Sequence, residues 1–175
     1  MNLGFIGTGT MGNPMVRCLI DAGHQLFVHD VRREATTNLC EMGATWAGSA
    51  REVALASQAV FTSLPGPTEM ETTVLDPDNG ILAGLPTGGA YIDLTTNSPA
   101  VVRRIAEACL SRGIEMLDAP VSGGMEGART RDLTMLVGGS DDVFARAKPL
   151  LDAIAKTVMH VGGIGADSIC KINHN

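Results

Sequence analysis

The sequence predicts an α/β fold: a Rossmann-type, doubly wound, mostly parallel sheet with helices on both faces. Three observations predict it. Short β-rich runs alternate with stretches of helical periodicity, the first strands are apolar almost throughout, and turn residues separate the elements. Near-continuous apolar strands suit a parallel sheet buried on both faces, whereas a sheet with one wet face would alternate.

The first strand is read at residues 3–6, with further strands at 25–29, 59–62, 90–93 and 115–118 and two later ones at 133–137 and 157–160. Between them, Met11, Met15, Cys18, Leu19 and Ala22 repeat at three or four to make one buried helical stripe, stopped by Gly23. Ser98 is an N-cap before Pro99, which sits in a first turn where its missing N–H is harmless. Val101, Val102, Ile105 and Cys109 form the apolar face of that helix, and Gly113 ends it. A third helix starts at Asp141 with Val143, Phe144, Ala147, Leu150, Leu151 and Ile154 facing the core, and Pro149 leaves its local geometry open. Residues 166–175 have helix-forming character, and the chain stops there without a C-cap, which reads as a helix interrupted before its end.

Composition narrows the functional classes. At 175 residues, 45% apolar and 18% charged, the chain suits one globular domain, or one domain and the start of another. A net charge of −6 without a Lys/Arg stripe argues against a nucleic-acid surface. The opening Met1-Asn2-Leu3 reads without a basic leader or cleavage site, so no signal peptide is expected, and no run approaches the roughly 20 apolar residues that span a bilayer. Cys18, Cys40, Cys109 and Cys170 are scattered singly, without metal-ligand spacing, and read as reduced thiols. A cytoplasmic protein without metal, membrane or nucleic-acid partners is expected.

Gly7-Thr8-Gly9-Thr10-Met11-Gly12 matches G-x-G-x-x-G between a strand and a helix, the context that gives the pattern meaning. Gly7 allows the tight turn, Gly9 lets a pyrophosphate approach the backbone, and Gly12 lets helix and strand pack closely. The helix N-terminus offers free N–H groups and partial positive charge to the phosphates. Asp30 closes the second strand, where a carboxylate accepts from the adenosine ribose and repels a 2′-phosphate. NAD is therefore the expected cofactor. Arg32 and Arg33 leave NADP open, because a guanidinium neutralises that phosphate, although solvated charge at a helix start is the simpler reading.

For the reacting end, Asp118-Ala119-Pro120-Val121-Ser122-Gly123-Gly124 reads as a sharp turn after a strand. It is either a carboxylate pocket, with the Ser122 hydroxyl and the N–H groups of Gly123 and Gly124, or an ordinary polar loop. Lys171 and Asn175 share a helix face; Lys171 is either an exposed charge or, in a partly dry site, a proton carrier.

Several motifs together resemble the β-hydroxyacid dehydrogenase family, which includes 3-hydroxyisobutyrate dehydrogenase and related semialdehyde reductases. They are the glycine loop extended through Asn13-Pro14-Met15, then Leu64-Pro65, then Asp93-Leu94-Thr95-Thr96-Asn97-Ser98-Pro99. The run from Asp118 to Ala128, Leu133-Thr134-Met135-Leu136-Val137-Gly138-Gly139, and residues 165–175 complete the set. The resemblance implies that Gly7, Gly9, Thr10, Met11, Gly12, Asp30, Leu64, Pro65 and Thr96 bind the cofactor, with Thr96 near the nicotinamide. It implies that Ser122, Gly123, Gly124 and Asn175 hold a small hydroxy acid or semialdehyde, and that Lys171 is the general acid/base. It implies a Rossmann domain over residues 1–163, the start of an interdomain helix over 164–175, and a C-terminal all-helical domain that is missing. The whole enzyme is then expected to be a homodimer or tetramer, and this piece by itself to have little or no turnover.

Two positions depart from the family pattern. Asp167 stands where a small residue is usual, and is read as a helix cap. His174-Asn175 replaces the usual Asn-Asn and is similar to 6-phosphogluconate dehydrogenase, so His174 either touches substrate or packs on a helix face. The alternatives are an NADP-dependent semialdehyde or glyoxylate reductase, a 6-phosphogluconate dehydrogenase-like enzyme, and a non-catalytic nucleotide-binding module. A short-chain dehydrogenase is disfavoured because Tyr91 has Thr95 four residues on, where that chemistry wants lysine.

Overall fold

Strand and helix alternate as the periodicity predicts. A computed structural model describes residues 1–166. In chain order the elements are β1 (Asn2–Ile6), α1 (Gly12–Asp21), β2 (Gln25–His29), α2 (Thr37–Glu41), β3 (Thr45–Trp46), α3 (Ala50–Leu55), β4 (Ala59–Thr62), α4 (Pro67–Leu75) and α5 (Ile81–Gly84). There follow β5 (Ala90–Asp93), α6 (Pro99–Ser111), β6 (Glu115–Asp118), β7 (Val121–Ser122), α7 (Gly124–Thr130), β8 (Thr134–Gly138), α8 (Asp141–Ile154) and β9 (Thr157–Gly162).

Six strands are parallel in the order β3-β2-β1-β4-β5-β6, and the winding reverses between β1 and β4. A crevice outside the carboxyl ends of the strands at such a reversal is where open α/β sheets bind ligands. Beyond β6 the strand direction reverses. β8 runs antiparallel to β6 and β7 in one register, with Asp118 opposite Gly138, Val121 opposite Met135 and Ser122 opposite Thr134. β6 and β7 are thus two lengths of a single strand, interrupted at Pro120, which has no N–H to give. β9 lies parallel on the other edge of β8.

Successive side chains of each strand enter opposite cores, as pleating requires. Phe5, Phe61, Ile92 and Leu117 pack on one face with Met15 and Leu19 of α1 and Leu151 of α8. Val60, Tyr91 and Met116 pack on the other with Val53 of α3, Met70 of α4 and Ile105 of α6. Helix ends follow the sequence signals. Gly23 (φ +93°) ends α1, and the next N–H, of His24, returns to Leu19 O at 3.2 Å. The Ser98 hydroxyl accepts from Val101 N at 3.3 Å, and that of Ser140 accepts from Val143 N at 3.3 Å. α8 continues through Pro149, because its buried face outweighs the one helical bond that proline removes. Phe144, read as core, is half-buried and stacks on His160 at 4.6 Å. The turn read after Asp118 is instead strand β7 leading into α7.

Candidate functional site

The three loop glycines occupy different surroundings. Gly7 has φ +91°, and a Cβ there would stand 2.1 Å from Ser63 O; a Cβ on Gly12 would stand 1.9 Å from Gly7 O. Both positions are closed to any side chain. Gly9 faces open space, with nothing within 4 Å of a Cβ. The loop is therefore pressed against the β4 end at Gly7 and against its own Gly7 carbonyl at Gly12, and is bare at Gly9, which fits a pyrophosphate approaching the backbone there. The N-terminus of α1 carries no side-chain cap and no acid in its first turn, so its positive end faces the same opening.

The opening is a cleft of about 870 Å³ at the β1/β4 reversal. Gly7, Gly9, Thr10, Met11, Gly12, Asp30, Leu64 and Pro65 all line it, which brings together every sequence-predicted cofactor residue except Thr96. Asp30 does more than face the cleft. Its Oδ2 accepts from Thr8 N at 2.9 Å and its Oδ1 from Arg32 N at 2.9 Å, so it also ties the glycine loop to the chain leaving β2. Thr8 Oγ1 and Asn13 Nδ2 both donate to Ala35 O, at 3.1 and 3.2 Å, and brace the same junction. The two arginines separate: Arg32 lines the cleft, whereas Arg33 lies over the Trp46 ring at 4.3 Å, outside it.

The opposite wall comes from the β4–α4 turn and α4. Leu64 and Pro65 lead to Gly66 and to Pro67 in the first turn of α4, which presents Thr68 and Thr72 to the cleft. Sequence reasoning missed Thr68 and Thr72; the Gly66-Pro67 helix start was the available signal. Behind this wall lies a buried polar cluster. Thr62 Oγ1 donates to Asp93 Oδ1 at 2.9 Å, Thr95 N donates to the same oxygen at 3.0 Å, and Asn97 Nδ2 reaches Asp93 Oδ2 at 3.3 Å. Tyr91 OH is 2.7 Å from Thr62 Oγ1, and Leu64 N donates to Thr95 Oγ1 at 3.0 Å. Burial pushes the Asp93 carboxyl above the usual carboxylate range, against the pull of these hydrogen bonds, and burial beside Asp93 pushes the Tyr91 phenol well up.

The remaining predicted residues lie elsewhere. Thr96 is exposed in the turn after β5 and does not line the cleft. Ser122 is on β7, and Gly123 and Gly124 (φ +133° and +63°) turn into α7; all three are exposed and outside the cleft. They share with it the carboxyl edge of the sheet, since β1, β4, β5 and β6 all run parallel. Lys171 and Asn175, with Asp167, Cys170 and His174, lie outside the described residues. Among the described residues no His/Cys/Asp/Glu cluster is placed to hold a metal, no helix is long and apolar enough to cross a membrane, and Cys18, Cys40 and Cys109 are free thiols.

Comparison with known proteins gives the same picture. Residues 2–162 match the model of the NAD binding domain of 6-phosphogluconate dehydrogenase. The chain is 38% identical over 174 residues to 3-hydroxyisobutyrate dehydrogenase of Pseudomonas aeruginosa, covering 99% of this chain and 58% of that protein. It is 40% identical over 172 residues to 2-hydroxy-3-oxopropionate reductase of Escherichia coli, covering 98% and 58%. The solved structure of Mycobacterium tuberculosis 3-hydroxyisobutyrate dehydrogenase with L-serine superposes with a TM-score of 0.93 at 32% identity, over 99% of this chain and 58% of that one. The chain thus spans little more than half the length of these relatives. With a glycine loop at the β1/β4 reversal and a family match along nearly its whole length, the chain belongs to the family of the NAD binding domain of 6-phosphogluconate dehydrogenase.

Proposed function

We propose that this chain is the nucleotide-binding part of an NAD-dependent dehydrogenase acting on a small 3-hydroxy acid and its semialdehyde. The observation that carries the reading is the cleft at the β1/β4 reversal, where the bare face of Gly9 and the uncapped start of α1 meet Asp30, Leu64 and Pro65. In this reading Gly9, Thr10, Met11 and Gly12 receive the pyrophosphate and Asp30 the adenosine ribose, while Gly7 supplies the turn. Leu64 and Pro65 flank the cofactor further along the carboxyl edge, with Thr96 beyond them toward the nicotinamide. Asp30 keeps an unused lone pair on each oxygen while bracing the loop, so it still accepts from a ribose hydroxyl. A bound nicotinamide supplies the hydride chemistry, and the chain's own residues orient and handle the proton.

Ser122, Gly123, Gly124 and Asn175 are proposed to hold the substrate. Lys171 is proposed to take the hydroxyl proton in oxidation and return it in reduction. Residues 1–163 form the nucleotide domain in this proposal, and 164–175 begin a connecting helix. The proposed whole enzyme is a homodimer or homotetramer in the cytoplasm, which sedimentation velocity and cell fractionation check.

Calorimetric titration of NAD and NADP into the chain tests the cofactor half. NAD is expected to bind more tightly, and Asp30→Ala to narrow the difference; tighter NADP binding by the unmodified chain contradicts the role given to Asp30. Arg32 on the cleft favours a second reading, an NADP-dependent reductase, and Arg32→Ala would then weaken NADP alone. In a catalytically competent form of the protein, Lys171→Ala is expected to lower kcat by about 10²–10⁴. Unchanged turnover would remove Lys171 from the mechanism.

A further inference from the structure

We propose that Asp93, as a buried carboxylate anion, is the positioning residue that holds the Leu64–Pro65 wall of the cleft in place through Thr95. The assignment follows from where the protons of the cluster can lie. Thr62 has one hydroxyl proton and gives it to Asp93 Oδ1, so the 2.7 Å contact between Thr62 and Tyr91 is closed by the tyrosine proton. Thr95 receives the Leu64 N–H on its oxygen, which leaves its own proton for Asp93. Asp93 thus accepts from the Thr62 hydroxyl, the Thr95 N–H, the Thr95 hydroxyl and the Asn97 amide.

Every donor points inward, and only an acceptor-only group satisfies all of them. A protonated acid or an amide in the same place would bring a donor of its own to face one of them. The Thr95 hydroxyl would then swing away and release Leu64 N, whose residue is a wall of the cleft. Asp93 is completely buried, so water cannot replace a lost partner. Burial works against the charge at this point, and the four hydrogen bonds oppose that penalty. The consequence for cofactor binding rests on the dinucleotide reading given above, whereas the consequence for the wall does not.

Hydrogen exchange of the Leu64 amide, followed by NMR in the 175-residue chain, separates the two. Asp93→Asn and Thr95→Val are each expected to speed exchange at Leu64 about tenfold, with the Phe5 and Phe61 amides unchanged. Thr95→Ser, which keeps the hydroxyl, restores the original rate. NAD affinity is expected to fall about tenfold in the first two variants and to hold in the third. Unchanged exchange at Leu64 in Asp93→Asn overturns the proposal, as does equal acceleration at Phe61, which would make Asp93 a general support of the core. Should Asp93→Asn not fold, Thr62→Val removes the hydroxyl that shares Asp93 Oδ1 with the Thr95 N–H. Faster exchange at Leu64 then supports the hub, and no change overturns it. If Leu64 responds as expected but the unmodified chain binds neither NAD nor NADP, the wall assignment stands and the dinucleotide reading falls.

Discussion

At Gly12 one added carbon would stand 1.9 Å from Gly7 O, and at Gly7 it would stand 2.1 Å from Ser63 O, whereas at Gly9 it would meet nothing. The three glycines of one motif therefore predict opposite outcomes. Gly7→Ala and Gly12→Ala are expected to lose about 1–3 kcal/mol of stability, the usual range for overpacking, measured by urea unfolding. Gly9→Ala is expected to unfold within about 0.5 kcal/mol of the unmodified chain, yet to bind NAD more weakly in calorimetry. Equal stability losses at all three would contradict the division of roles. The same scale carries a pH prediction. Burial raises the folded Asp93 carboxyl above its ordinary value of 3.8, so the folded chain holds that proton more tightly than the unfolded chain does. This contribution is fully present below the ordinary value and is lost as pH rises through the interval up to the folded value. Asp118, opposite Asp93 on β6, and Tyr91 are present in both chains when the comparison is with Asp93→Asn. The stability of the unmodified chain relative to Asp93→Asn is expected to fall as pH rises above the ordinary carboxyl value of 3.8. A flat difference would show that burial leaves Asp93 untouched.

Among the elements, those with long amphipathic stripes were legible. α1, α6 and α8 each repeat apolar residues over ten or more positions, and the Ser98 cap marks α6; the structure adds a Ser140 cap at α8 that the sequence left unread. Their caps predict that Ser98→Ala and Ser140→Ala each lose about 1 kcal/mol, read as a lower urea midpoint with an unchanged slope. What the sequence left unread is short. β3 and β7 have two residues each and exist because β2 and β8 lie beside them, a partnership that no local pattern encodes. α2, α3 and α5 have four to six residues, too few for a period to emerge. α4 is longer, but only Met70 and Val74 are buried along it, so its apolar face is thin. The site divides the same way. The glycine loop and Asp30 were legible because they stand as a recognisable motif at fixed spacings between a strand, a helix and a second strand. Thr68 and Thr72 were not, because their role comes from how α4 lies across the cleft.

For the molecule as a whole, the cleft gathers the ends of β1, β2 and β4 with the start of α4, so a ligand there clamps elements distant in sequence. A ligand that binds only the folded chain raises its stability by about 2.7 kcal/mol at a hundred times its Kd. NAD at that level is expected to raise Tm by roughly 5–11 °C for a chain of this size, measured by calorimetry. An unmoved Tm would count against a cleft that closes on the dinucleotide. The shared register of β6 and β7 against β8 has a different consequence. Ser122 is stitched to Thr134 across the antiparallel corner, so its place is inherited from the backbone ladder and owes little to the turn that follows it. Loosening β8 would carry that hydroxyl away even with every residue of the following turn unchanged, much as a hem shifts when its seam is let out.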